Sequence, residues 1–175
     1  QGYLALTPLQ MCAVATVVAN RGKVFRPHLL LRKVNFAGVS TEFTPELQSD
    51  LVLPEEFWNT LQDALVNVVE AGTARSGFIE GLHWGGKTGS AEHRLASRTH
   101  GWYVGYAPAD EPRIAIAVIV EAAGHGGTVA APIAKEVVRR YLFGNLSPIP
   151  EVQSSARPLA IERTSSAPVT SPVVR

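Results

Sequence analysis

Seven consecutive apolar residues, Ile114-Ala115-Ile116-Ala117-Val118-Ile119-Val120, stand between Arg113 and Glu121. The run does not alternate with polar residues, so it reads as a strand covered on both faces and central in a sheet. It is far too short for a bilayer, which takes roughly 20 apolar residues to cross. The rest of the chain must therefore supply layers for both sides of this strand.

Two neighbouring strands follow from the same kind of pattern, at Leu82 to Glu92 and Gly101 to Ala107. The connection Pro108-Ala109-Asp110-Glu111-Pro112 is short, which makes the second of these antiparallel to Arg113–Glu121. Three helices are predicted to cover the sheet. The first runs from Pro8 to about Asn20: Thr7 caps it, Pro8 has its φ preset for the first position, and Gln10 closes a capping box. Leu9, Ala13 and Val17 form its stripe, Cys12 is a small core residue beside them, and Gly22 supplies a left-handed residue past the end. Pro54-Glu55-Glu56 opens the second helix with acids in its first turn, Phe57, Leu61, Leu65 and Val69 form the stripe, and Gly72 stops it. Thr128 caps the third, with Pro132 in its first turn, Ile133, Val137 and Tyr141 on one face, and an end near Gly144.

Between the first two helices, Val24 to Val34 reads as extended and broken by Pro27, and Asn35 to Val52 as a polar excursion without period. From Leu146 the chain is Pro, Ser, Thr and Val without period, so residues 146–175 are expected to form a disordered tail behind a folded unit of 1–145. The class is α+β, an antiparallel sheet covered by helices. Charge is balanced, 16 Lys+Arg against 15 Asp+Glu, with no basic run, which argues against a nucleic-acid partner. The single cysteine excludes an intrachain disulfide and a Cys-based zinc cluster. With no signal segment before the first pattern, the chain reads as an excised piece of something longer.

The stretch Trp84-Gly85-Gly86-Lys87-Thr88-Gly89-Ser90-Ala91-Glu92 carries the chemistry. Glycine weakens a strand, and Gly85, Gly86 and Gly89 make sense if another backbone or a ligand must come close. Lys87 supplies a fixed positive charge, Thr88 a hydroxyl donor, and the Ser90 backbone N–H a donor for a developing oxyanion. The plain alternative is a surface strand with a solvated lysine and permissive glycines. Gly124-His125-Gly126-Gly127-Thr128 lacks the Gly-Lys-Ser/Thr ending of a phosphate cradle and reads better as a glycine-built turn seating the last helix. His83, Glu92, His93 and His100 surround the motif, but no His-Glu-x-x-His helix is present, and scattered histidines near loops are usually exposed. Trp84, Trp102 and Tyr103 are read as core or cleft lining.

Lys87-Thr88-Gly89 is the third motif of penicillin-binding proteins and serine β-lactamases. Gln1-Gly2-Tyr3-Leu4-Ala5-Leu6-Thr7-Pro8-Leu9-Gln10-Met11 resembles a segment of class B penicillin-binding proteins, most like the elongation type, penicillin-binding protein 2. Glu70-Ala71-Gly72-Thr73-Ala74 and Gly124-His125-Gly126-Gly127 sit where that family carries similar stretches, so the resemblance spans roughly residues 1 to 143. No serine of this chain stands three residues before a lysine, and there is no Ser-x-Asn. The resemblance therefore implies that the nucleophilic serine and the second motif lie in a missing amino-terminal part, and that this chain alone is inactive.

The resemblance further implies a peptidoglycan D,D-transpeptidase that cross-links stem peptides by serine acyl transfer and binds β-lactam antibiotics, without a cofactor or metal. Gly86, Lys87, Thr88, Gly89 and Ser90 would bind substrate. Lys87 and Thr88 would hold the terminal carboxylate and support the proton network, and the Ser90 N–H would form half of the oxyanion hole. It implies the periplasmic side of the membrane, an anchor outside this chain, and cell-wall elongation proteins as partners. A septal-type enzyme and a non-catalytic sensor or scaffold that binds β-lactam or peptidoglycan are the competing readings. The family sheet has five strands, two of them from upstream sequence, and one of these pairs with the strand matching Arg113–Glu121. In this chain alone that strand would be an edge.

Overall fold

The computed structural model describes residues 4–92 and 98–144. His93 and the segment from Leu146 onward, on which a metal candidate and the tail were placed, lie outside the described residues.

Helix α1 (Pro8–Ala19) begins with the capping box read from the sequence: the Gln10 N–H donates to Thr7 Oγ1 at 3.3 Å and the Thr7 N–H to Gln10 Oε1 at 2.8 Å. Its end turns through Arg21 (φ 52°) and Gly22 (φ 101°). A side chain at Gly22 would strike the indole of Trp58, so the glycine serves both backbone and packing. The predicted stripe of α1 is only partly right. Leu9 is exposed, Ala13 and Val17 are half-buried, and Ala15 is the residue fully covered. Nearly every residue from Met11 to Ala19 is apolar, so spacing alone picks no face.

The segment with no sequence period contains four short strands. β1 (Lys23–Phe25) pairs antiparallel with β4 (Leu47–Asp50), and β2 (Arg32–Val34) with β3 (Ser40–Glu42). Both lie largely exposed, which is why no buried face marks them in the sequence. Helix α2 (Glu55–Glu70) buries Trp58, Gln62 and Val69, whereas Phe57, read as core, is 47% exposed. The Gln62 amide donates to the Val18 carbonyl of α1 at 2.9 Å. That helix contact turns a polar residue inward, and Leu61 and Leu65 are left half-buried.

The central sheet has the order β5 (Gly85–Ala91), β6 (His100–Ala107), β7 (Ile114–Val120), all antiparallel. The two faces of β7 are both covered, as its unbroken apolar run requires: Ile114, Ile116, Val118 and Val120 pack on the main core, while Ile119 faces Met11 of α1 across a cleft. β7 is not central, however. Among the described residues it pairs with β6 alone and forms an edge, as the resemblance implies for this chain by itself.

Helix α3 (Gly126–Phe143) corrects the sequence reading in three ways. It starts at Gly126 with His125 at the cap, so Thr128 is inside it, and Pro132 falls in the second turn. Its covered face is Ala130, Ala131, Ala134 and Val138, while Ile133, Val137 and Tyr141 are 46%, 43% and 58% exposed. Both sets recur at four-residue spacing. The small one wins because α3 lies so close to β6 that a Cβ on Gly101 would collide with Val129. The helix ends at Gly144 in the left-handed conformation, φ 63°. The main core joins this alanine face to Val69, Ile79, Leu82, Trp84, Tyr103 and Ile116. Burying a side chain such as Val138 completely contributes about 1.5–3 kcal/mol.

Candidate active site

Strand β5 runs beside β6 in the register Gly86 to Gly105, Lys87 to Val104, Thr88 to Tyr103, Gly89 to Trp102 and Ser90 to Gly101. Side chains alternate across a strand, so Gly86, Thr88 and Ser90 share one face, and Gly85, Lys87 and Gly89 the other. Packing fixes which is which. A Cβ on Gly86 would enter the Tyr103 hydroxyl on the α3 side, and one on Gly85 would press on Leu65 of α2 at 3.2 Å. The glycines before the motif thus admit an aromatic ring on one face and a helix on the other.

The structure brings Thr88 and Ser90 together and sets Lys87 apart. Thr88 Oγ1 lies 2.7 Å from Thr73 Oγ1, and Ser90 Oγ lies 3.3 Å from Nδ1 of His125. Lys87 is exposed, and its ammonium donates to the Thr88 carbonyl at 3.0 Å, which holds the charge beside the strand. β5 pairs on one side only among the described residues, so alternate backbone N–H and C=O groups, along a run that includes Ser90, face outward.

Thr88 and Ser90 open into a cleft of about 450 Å³ that Thr73, Arg75, Ser76 and His125 also line, together with the first turn of α3. Among the described residues, none that lines it is acidic. Arg75 is steadied by stacking, its guanidinium carbon 4.1 Å from the centre of the Phe78 ring. The N-terminus of α3 adds partial positive charge and unpaired N–H groups. Hydroxyl donors, a guanidinium and a helix N-terminus in one cleft suit an anion such as a carboxylate.

The glycines at 126 and 127 do seat this helix. A Cβ at Gly126 would overlap the Trp102 carbonyl oxygen, and one at Gly127 the Thr73 carbonyl oxygen, so α3 begins directly on the strands and on the loop after α2. A larger cleft, about 630 Å³, lies at the other end of β5 among Arg21, Gln62, Asp63, His83 and Asp110, and contains no residue of the motif. The histidines do not converge. His83 Nδ1 pairs with Glu70 at 2.7 Å before β5, while His100 Nδ1 accepts the Ala122 N–H at 3.0 Å beyond its far end. Among the described residues no three His, Cys, Asp or Glu side chains form a group that could hold a metal.

The family model for the penicillin binding protein transpeptidase domain matches residues 1–139. The chain belongs to this family, as a class B transpeptidase domain. It is 40% identical over 152 residues to the peptidoglycan D,D-transpeptidase PbpA of Mycolicibacterium smegmatis, covering 81% of this chain and 30% of that protein. It is 33% identical over 177 residues to the peptidoglycan D,D-transpeptidase MrdA of Haemophilus influenzae, covering 91% and 27%. Among solved structures, penicillin-binding protein A from M. tuberculosis, an imipenem acyl-enzyme complex, superposes with a TM-score of 0.72 at 32% identity over 81% of this chain and 32% of that one. PBP2 of Pseudomonas aeruginosa, in complex with WCK 5153, gives 0.69 at 33% identity over 82% and 31%. The chain spans less than a third of the length of these curated relatives. The fold expected from the resemblance is thereby shown. Arg75 and Ser76 were missed in the sequence because nothing in their local pattern places the loop after α2 against β5; Thr73 stood in a family-like stretch without a role.

Proposed function

We propose that this chain forms the Lys-Thr-Gly wall of a serine D,D-transpeptidase that cross-links peptidoglycan stem peptides and is acylated by β-lactams. The observation that carries the reading is the convergence of the Thr88 and Ser90 hydroxyls with Arg75 and the start of α3, beside a strand whose outer edge pairs with no other strand among the described residues.

In this mechanism a serine elsewhere in the full-length protein attacks the carbonyl carbon between two D-alanines. Its proton passes through the lysine-hydroxyl network to the departing amine, the C–N bond breaks, and the last D-alanine leaves. The amine of a neighbouring stem then attacks the acyl carbon, the ester C–O bond breaks, the amine's proton passes back through the same network to the serine oxygen, and the new amide is the cross-link. Thr88 and Ser90 donate hydrogen bonds to the substrate's terminal carboxylate, with Arg75 and α3 adding positive potential. Lys87, on the other face, holds a charge at the strand edge and supports the proton network. Gly89, which lines the cleft, lets substrate lie along β5, whereas Gly86, read from the sequence as substrate-binding, makes room for the Tyr103 ring instead. The Ser90 N–H donates to the oxyanion, a contribution typically worth roughly 3–4 kcal/mol.

The elongation-type role, rather than the septal one, rests on the Gln1–Met11 resemblance and on similarity to MrdA proteins. Cell-wall elongation proteins are the partners this role implies. Cell-wall synthesis places the site on the extracytoplasmic side of the membrane; among the described residues no helix is long and apolar enough to cross it. A non-catalytic sensor would share the anion cleft but turn over no peptide. The test is intact-mass analysis of the full-length protein with penicillin, for wild type, Thr88→Val and Ser90→Ala. One covalent adduct per wild-type molecule with slower acylation in both variants is expected; a wild type that forms no adduct overturns the reading.

A further inference from the structure

Thr73 has a place in this site that its sequence context does not announce. It follows α2, exposed to the cleft, and its hydroxyl lies 2.7 Å from that of Thr88, 15 residues along the chain. The chain around it is held at three points. The neighbouring Ala74 is fully buried and donates to the Val68 carbonyl at 3.0 Å, the Thr73 carbonyl abuts Gly127 where no side chain fits, and the Ser76 hydroxyl donates to the Gly127 carbonyl. A threonine fixed in this way sets the position of whatever its hydroxyl bonds.

We propose that Thr73 is a positioning residue of the carboxylate site, donating its hydroxyl proton to Thr88 Oγ1 and so committing the Thr88 proton to the incoming carboxylate. The argument rests on the transpeptidase reading above and on the inventory of a hydroxyl, one proton and two acceptor positions. Thr88 has a single proton to give. If it points at Thr73, none is left for an anion. With Thr73 as donor, the Thr88 proton turns into the cleft, and the chain Thr73 to Thr88 to carboxylate is polarised in one direction, which strengthens each bond. Thr73 touches neither substrate nor the reacting atoms in this scheme.

The test is acylation of the full-length protein by penicillin G and by its methyl ester, which keeps the reactive ring and loses the anion. Thr73→Val removes the donor and keeps the shape; Thr73→Ser restores the donor; Thr73→Ala, which leaves more room, guards against a packing artefact of valine. The second-order acylation rate with penicillin G is expected to fall about two- to tenfold in the Val and Ala variants and to recover with Ser, at unchanged melting temperature. The slower reaction of the ester should not change, and Thr73→Val added to Thr88→Val should cost nothing further. An unchanged rate with penicillin G, an equal loss with acid and ester, or failure of serine to restore the rate overturns the proposal. A wild type that penicillin G does not acylate overturns the parent reading instead.

Discussion

Gly86 of β5 lies directly beneath the hydroxyl of Tyr103 on β6, with no room for a side chain between them. That hydroxyl is fully buried and has no hydrogen-bond partner among the described residues. Burial, with Tyr106 close by, pushes its pKa far up, so it stays neutral. The ring packs 5.3 Å from Trp84, and the pair ties the motif strand to the core.

Gly86→Ala should therefore destabilise the protein by about 1–3 kcal/mol or more, since the added methyl meets ring and backbone rather than a flexible tip. Tyr103→Phe, which only removes the unpartnered hydroxyl, should leave the melting temperature unchanged or raise it. Combined, the Phe change should recover part of the alanine defect but not all, because the new Cβ would still crowd the ring and, at 2.8 Å, the Val104 carbonyl oxygen. Thermal unfolding of the two single variants and the double variant measures this coupling, and strict additivity would contradict it.

Lys87 stands on the opposite face from Thr88, and its role should separate from that of the hydroxyls. Lys87→Ala in the full-length protein is expected to slow penicillin acylation by at least about tenfold, on the order of 1.4 kcal/mol in barrier, with the fold retained. Stopped-flow acylation rates check this; an unchanged rate would leave Lys87 as a solvated surface lysine.

The close seating of α3 gives a pair of opposite outcomes. Ala134→Leu forces a large side chain into the contact with the core and should cost about 1–3 kcal/mol. Ile133→Lys, one position earlier on the outer side, should change stability by no more than about 0.5 kcal/mol. Denaturant titrations of the two variants would reverse this order if the larger residues formed the packed face.

The outer edge of β7 carries no proline and no inward charge. Such an edge is a template for strand pairing. The 175-residue chain expressed by itself is expected to self-associate, with those Ile114–Val120 amides that point away from β6 weakly protected from exchange until a partner strand is supplied. A monomer by sedimentation with those amides strongly protected would contradict this.

What could be read from the sequence divides along physical lines. The capping box at Thr7 and Gln10, the stops at Gly22 and Gly144, and the three sheet strands depend on local chemistry or on long apolar patterns, and these were legible. Faces were harder. On α3 two sets of residues share one spacing, and only the close approach of the helix to Gly101, and of its own Gly126 to the Trp102 carbonyl, shows that alanines lie inside. On α2 the inward turn of Gln62 answers a carbonyl on another helix. The strands β1 to β4 bury no residue fully and so leave no periodic trace. At the site, Lys87, Thr88 and Ser90 were visible as a motif, while Thr73, Arg75 and Ser76 enter through a loop whose landing point only the assembled fold defines.

If residues 1–175 form one wall of a penicillin-reactive site without its nucleophile, the acylated residue lies elsewhere in the full-length protein. Peptide mapping of the penicillin adduct on the full-length protein, with the isolated chain treated in parallel, tests it most directly. A single acylated serine outside residues 1–175 and no adduct on the isolated chain are expected; an acylated serine within these residues would overturn the proposed function.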